Sequence, residues 1–93
     1  MISHTTARFR RAFADLEPDI RHQARRAYRL FKQNPHHPTL HFKKVHPSEP
    51  IWSVRVVGGY RAVGVRAADE IVWYWIGSHE DYERLLSQAR RRP

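Results

Sequence analysis

Ile51-Trp-Ser-Val-Arg-Val-Val57, then Gly58-Gly59, then Tyr60-Arg-Ala-Val-Gly-Val-Arg66, then Ile71-Val-Trp-Tyr-Trp-Ile76: this stretch decides the fold. The first run puts Trp52, Val54 and Val56 on one face, the period-2 pattern of a half-buried strand. Gly58-Gly59 is the turn chemistry of a tight hairpin, and Tyr60 to Arg66 is the returning strand. Ala68-Asp69 turns the chain again. Ile71 to Ile76 is apolar throughout, which predicts a central strand covered on both faces. Register is the open question in the hairpin. A two-residue loop sets Arg61 across from Val56, whereas a three-residue loop, Val57-Gly58-Gly59, sets Arg61 across from Arg55.

Outward from the hairpin the period changes. Toward the N-terminus, Thr5-Thr6 can cap a helix carrying Phe9, Phe13 and Leu16 at i, i+4 and i+7. Glu17-Pro18-Asp19 ends it and starts a second helix with the stripe Ile20, Ala24, Ala27, Tyr28 and Phe31. Arg21, Arg25, Arg26, Arg29 and Lys32 take the remaining positions. Asn34-Pro35 stops that helix, because the residue before proline disfavours the helical region. Leu40-His41-Phe42 alternates and reads as a strand, and Pro47 to Pro50 as a loop. On the other side, Ser78-x-x-Asp81 has the form of a capping box. Tyr82, Leu85, Leu86 and Ala89 give the helix it opens an apolar face. The expectation is one α+β domain over residues 1–93: two N-terminal helices packed on an antiparallel sheet of about four strands, plus a C-terminal helix.

Composition bounds the function. In 93 residues there are 17 Lys and Arg against nine Asp and Glu, a net charge of +8. Fourteen of the 17 are arginines, the better residue for two-pronged phosphate contact. Residues 1–46 carry ten basic and three acidic side chains; residues 47–93 carry seven and six. So basic a domain is expected to meet a polyanion. There is no cysteine, which excludes a disulfide framework and thiol-based zinc sites. His36, His37, His41 and His46 follow no standard metal spacing, so no metal and no cofactor is expected. The apolar run Ile71–Gly77 is too short to span a membrane and Met1 to Thr6 lacks an apolar leader, which points to a cytoplasmic protein with no membrane partner.

Three stretches resemble the RelE/ParE superfamily of toxins from bacterial toxin–antitoxin systems. They are Ala24-Arg-Arg-Ala-Tyr28 with Asn34-Pro35, Trp52-Ser-Val-Arg-Val56 with Gly59-Tyr-Arg61, and Ile76-Gly-Ser-His-Glu-Asp-Tyr82. The last is similar to the tail of YafQ-type toxins, whose histidine near the chain end is catalytic. The resemblance implies a ribosome-dependent mRNA endonuclease that arrests translation and is held in check by an antitoxin protein. Alternatives within it are a ParE-type gyrase inhibitor acting by binding, and an inactive toxin-like binding module. The pattern departs at Ser53, where some members carry lysine, and at Gly64, where an aromatic is common.

Metal-independent cleavage by the 2′-hydroxyl needs proton transfer and positive charge at the phosphorane. Arg61 is the candidate phosphate clamp, with Arg55 as the second. His79 is the candidate acid or base, since imidazole changes charge near neutral pH. Tyr82 is a candidate to stack on a base or assist proton transfer. Lys43, Lys44 and His41 are candidates to line the RNA path. Plainer readings stand beside these. Arg55 and Arg61 also read as solvated strand arginines, His79 as an exposed first-turn residue, and Tyr82 as core. Trp73 and Trp75 read as core. The Arg90-Arg-Arg92 tail reads as a solvated end.

Overall fold

The computed structural model describes residues 1–91 of the chain, with side-chain surroundings given through residue 88. Ala89 and the arginine tail therefore lie outside the described side chains. The elements run β1 (Ile2–Thr5), α1 (Ala7–Ala14), α2 (Pro18–Gln33), a 3₁₀ turn (Pro38–Leu40), β2 (Lys43–Lys44), β3 (Ile51–Val57), β4 (Tyr60–Ala67), β5 (Glu70–Gly77) and α3 (His79–Arg91). The sheet has five strands in the order β1-β5-β4-β3-β2. β1 lies parallel to β5, and the other pairs are antiparallel.

Local chemistry sets the helices. The Thr6 hydroxyl accepts the Phe9 N–H at 3.1 Å and caps α1. Pro18 fits the first turn of α2, where its missing N–H costs nothing. Arg21 reaches back to the Leu16 carbonyl at 2.6 Å and fixes the angle between the helices. α1 and α2 cover one sheet face with Phe9, Phe13, Ala24, Tyr28 and Phe31, against Val54, Ala62, Ile71, Trp73 and Ile76. α3 covers part of the other face through Tyr82 and Leu86, which pack on Val63.

The central-strand expectation for Ile71–Ile76 holds on the helical-layer side and only in part on the other, where Trp75 packs with Val63 and Tyr82. Ile71, Trp73 and Ile76 are buried, but Val72 and its neighbour Val65 are exposed, because α3 does not reach that corner. Two other expectations need correction. Leu40-His41-Phe42 is not a strand. Pro38 starts a 3₁₀ turn, and His41 sits at φ +46°, a left-handed conformation that ends any extended run. The edge strand comes next, as Lys43–Lys44. The sheet also gains β1, which the sequence reading left out.

β1 is held by a polar knot. The Ser3 hydroxyl accepts from Trp73 Nε1 at 2.9 Å and bonds the Tyr28 hydroxyl at 3.1 Å, joining β1, β5 and α2. Ser3→Ala leaves the buried indole N–H unpaired and is expected to cost about 1–3 kcal/mol. Thermal unfolding reads this as a fall of about 4–8 °C per kcal/mol. An unchanged melting temperature counts against the knot.

Gly64 explains one departure in the sequence. A β-carbon there would lie 2.9 Å from Trp73 Cε3 and 2.9 Å from the Val72 carbonyl oxygen. The chain gives up a side chain at 64 to seat Trp73. Among the described residues, no helix is long and apolar enough to cross a membrane.

Candidate functional site

The hairpin settles the register in a way neither loop length anticipated. Val57 pairs with Tyr60 across the two-residue turn Gly58-Gly59, yet Arg55 pairs with Arg61. A bulge at Val56 absorbs the extra residue, so the short turn and the arginine-to-arginine register coexist. Gly58 takes φ +54°, which the turn requires.

α3 starts beside this turn. Ser78 accepts the Asp81 N–H at 3.4 Å and donates its own hydroxyl to Asp81 Oδ2 at 3.2 Å, the expected cap. That start sets His79 against the hairpin: a β-carbon on Gly59 would lie 3.0 Å from His79 Cβ. Between α3, β4 and the residues of β2 is a pocket of about 340 Å³ lined by Lys43, Lys44, Arg61, His79, Tyr82 and Glu83, with Val45 and Leu86 below.

Five of the seven sequence candidates therefore meet. Arg61 lies with its guanidinium carbon 5.4 Å from the Tyr82 ring centre. Its Nε and Nη1 are buried and make no hydrogen bond. The His79 ring stacks beside Tyr82 with centres 6.2 Å apart, and its Nε2 lies 3.7 Å from Glu83 Oε1. Tyr82 is 6% exposed, so it is a wall of the pocket and not a free stacking surface for a base. Arg55 and His41 are not in the pocket. Arg55 turns back to the Gly58 carbonyl at 3.4 Å, and His41 is held at the left-handed end of the 3₁₀ turn.

Sequence reasoning missed Ser53 and Glu83. Ser53 pairs with Lys43 on one side and Val63 on the other, and is fully buried with its hydroxyl unpaired. Its signal was available: it shares a strand face with Arg55, two residues away. Glu83 could have been found as the i+4 neighbour of His79 on a helix.

Chemically, a half-buried guanidinium with two buried, idle donors has the donor set an anion would take. Buried polar groups are nearly always paired, and leaving a charged one unpaired costs free energy. Lys43 and Lys44 add positive charge at the rim, and His79 supplies a group able to give or take a proton. Two other histidines make local hydrogen bonds. His46 Nδ1 accepts the Ser48 and Glu49 N–H groups at 3.2 and 2.9 Å, and His37 Nδ1 accepts the Thr39 N–H at 3.3 Å. No group of residues able to hold a metal is found among the described residues. Outside the pocket, burial raises the Tyr74 phenol above its usual pKa, and Arg8 beside the ring pulls it the other way.

The family model of the ParE-like toxin domain matches residues 18–84. No curated protein matches the chain in sequence. Solved structures do match in fold. A chain of the RelB–RelE antitoxin–toxin complex from Methanococcus jannaschii superposes with a TM-score of 0.71 at 14% identity, covering 88% of this chain and 96% of that one. The isolated RelE toxin of E. coli gives 0.64 at 14% identity, with coverage of 95% and 97%. YafQ from E. coli gives 0.66 at 10% identity, covering 86% and 94%.

Proposed function

From the premise that this chain belongs to the ParE-like toxin family, we propose that it is the toxin of a cytoplasmic toxin–antitoxin pair and a metal-independent endoribonuclease acting on mRNA at the ribosome. One observation carries the nuclease reading: the buried, unpartnered Nε and Nη1 of Arg61 beside His79 and two lysines. A planar fork of donors matches two oxygens of one phosphate. The charge that develops on those oxygens during attack by the 2′-hydroxyl is then met by donors already fixed in place. Lys43 and Lys44 hold the flanking backbone. His79 moves the proton, with the Glu83 carboxylate 3.7 Å from the ring's Nε2. Tyr82 holds Arg61 and His79 at their spacing.

An antitoxin partner is supported by the fold, since structures like it were solved as antitoxin–toxin complexes. A second reading is gyrase inhibition by binding, favoured by the ParE-like family assignment itself.

The deciding experiment is induced expression of wild type and His79→Ala, with growth followed and mRNA ends mapped on translating ribosomes. The expected result is arrest with ribosome-dependent cuts in wild type, and loss of both in the variant by a factor of about 10²–10⁴ in cleavage rate. Arrest without cuts, undiminished in His79→Ala, moves the target to gyrase. No arrest from folded protein leaves a toxin fold without the chemistry.

A further inference from the structure

α1 packs on β5 and α2 on β3, with β4 between those two strands. The seam between the helices therefore runs over β4, and β4 meets it with a short side chain. Ala62 pairs with Val54 on one side and Ile76 on the other, so the three form a row across the floor. Ala24 and Ala27, three apart on α2, bring further short side chains to the same place. Short side chains from both layers leave a cavity of about 190 Å³, open at one side and walled toward α1 by the half-buried Phe9 and Phe13.

The lining is apolar except for three side chains. The Thr5 hydroxyl accepts from Arg10 at 3.1 Å, and the Tyr28 hydroxyl bonds Ser3 at 3.1 Å. Arg25 is the third, and it differs. Its guanidinium carbon lies 5.0 Å from the Phe13 ring centre, it is exposed, and among the described residues no carboxylate pairs with it. An apolar space of this kind holds water poorly, and a cavity of about 150 Å³ with similar lining takes benzene. Left empty, its walls forgo the close contacts that packing gives elsewhere in a core.

We propose that this cavity is a binding site for a small aromatic carboxylate, a single ring carrying one short acid arm. The ring fills the space over Ala62, and the carboxylate reaches Arg25 at the mouth. The ring supplies most of the affinity, because an exposed ion pair is weak. Arg25 selects the sign of the charge. A ligand seated there holds α1 and α2 on the sheet, so the stability of a domain with so small a core follows the ligand's concentration. The cavity shares no lining residue with the Arg61 pocket, and its occupancy is independent of the nuclease chemistry.

Phenylacetate is titrated into the purified full chain, with benzyl alcohol, benzylammonium and acetate for comparison. The three indole N–H signals report the place, since Trp73 lines the cavity and Trp52 and Trp75 do not. The expected result is a saturable shift at Trp73 alone, half-complete below about 5 mM for a ligand of about ten heavy atoms, with a rise in melting temperature. Benzyl alcohol is expected to bind about two- to fivefold more weakly, benzylammonium more weakly again, and acetate not at all. Arg25→Met is expected to bring phenylacetate down to the level of benzyl alcohol. Ala62→Leu fills the floor and is expected to weaken every ring by about tenfold or more. If that variant does not fold, Ala27→Leu fills the same space from the half-exposed side of α2. A folded filling variant that binds as wild type, benzylammonium binding as tightly as phenylacetate, or half-saturation above about 5 mM overturns the proposal. So do equal shifts at Trp52 and Trp75, which mark adsorption to a basic surface, and a Trp73 signal that moves with protein concentration alone, which makes the cavity a contact between copies of this chain.

Discussion

Arg61→Leu is expected to abolish mRNA cleavage while leaving the protein at least as stable as wild type. The folded state holds a guanidinium with two buried donors that nothing satisfies. Each such group carries a desolvation penalty of about 1–3 kcal/mol, larger for charged groups. Its visible compensation is the contact with Tyr82 at 5.4 Å, worth about 0.5–2 kcal/mol. The penalty is the larger quantity, so an apolar side chain over Tyr82, Val45 and Leu86 is expected to leave the melting temperature unchanged or raise it by a few degrees. Activity goes the other way. Removing one fixed donor aimed at developing charge costs about 10²–10³ in rate. Arg61→Lys keeps the charge but loses the fork, and is expected to fall between the two. Thermal unfolding with the ribosome cleavage assay checks both halves. A melting temperature lowered by more than about 8 °C would make Arg61 a structural residue and remove the main support for the site.

A stability–activity conflict at one residue is informative because natural chains tolerate an unsatisfied buried charge only where something else is gained. Ser53 strengthens the point. It is a second unpaired polar group on the same sheet face, one strand away. Both lie on a face otherwise packed with Val63, Trp75 and Leu86, Ser53 wholly beneath the surface and Arg61 at the pocket wall.

The parts of this molecule legible in sequence are those fixed by local periodicity. The stripes of α1 and α2, the Ser78 cap and the Gly58-Gly59 turn each carry their own signal within a few residues. What was illegible depends on distant partners. Ile2-Ser-His-Thr5 shows no clear alternation and becomes a strand because it meets Ile71–Trp73, about 70 residues on. The bulge at Val56 leaves no mark in composition, and it determines which residue faces Arg61. The candidate site was half legible for the same reason. Residue type suggested Arg55 as readily as Arg61, and the register even set them opposite, but the Gly58 carbonyl draws Arg55 away. His41 fits the alternation of an extended run, but the proline three residues earlier commits the chain to a turn.

Phe31→Ala is expected to remove toxicity by the opposite route, through the fold and without touching the pocket. Phe31 is 2% exposed and meets Phe42 and Trp73 edge-on, at 5.1 and 5.4 Å between ring centres. It also lines an apolar cavity of about 190 Å³ between the helical layer and the sheet, which truncation enlarges. Phe→Ala in such a setting costs about 3–5 kcal/mol, the upper end where the surroundings cannot collapse. Two helices tied by the Arg21 contact and a sheet pinned by Ser3 leave little room for collapse. A domain of this size has a total stability of about 5–14 kcal/mol, so about a fifth or more is lost, and the melting temperature falls by about 12 °C or more. Phe31→Leu keeps most of the volume and is expected to cost less than about 1.5 kcal/mol, with arrest retained. The paired outcome separates the two sheet faces. If Phe31→Ala arrests growth as wild type does, the aromatic cluster does not hold the fold. If Phe31→Leu stays folded yet loses arrest, the helical-layer face takes part in the activity itself, and the Arg61 pocket is not the whole of the site.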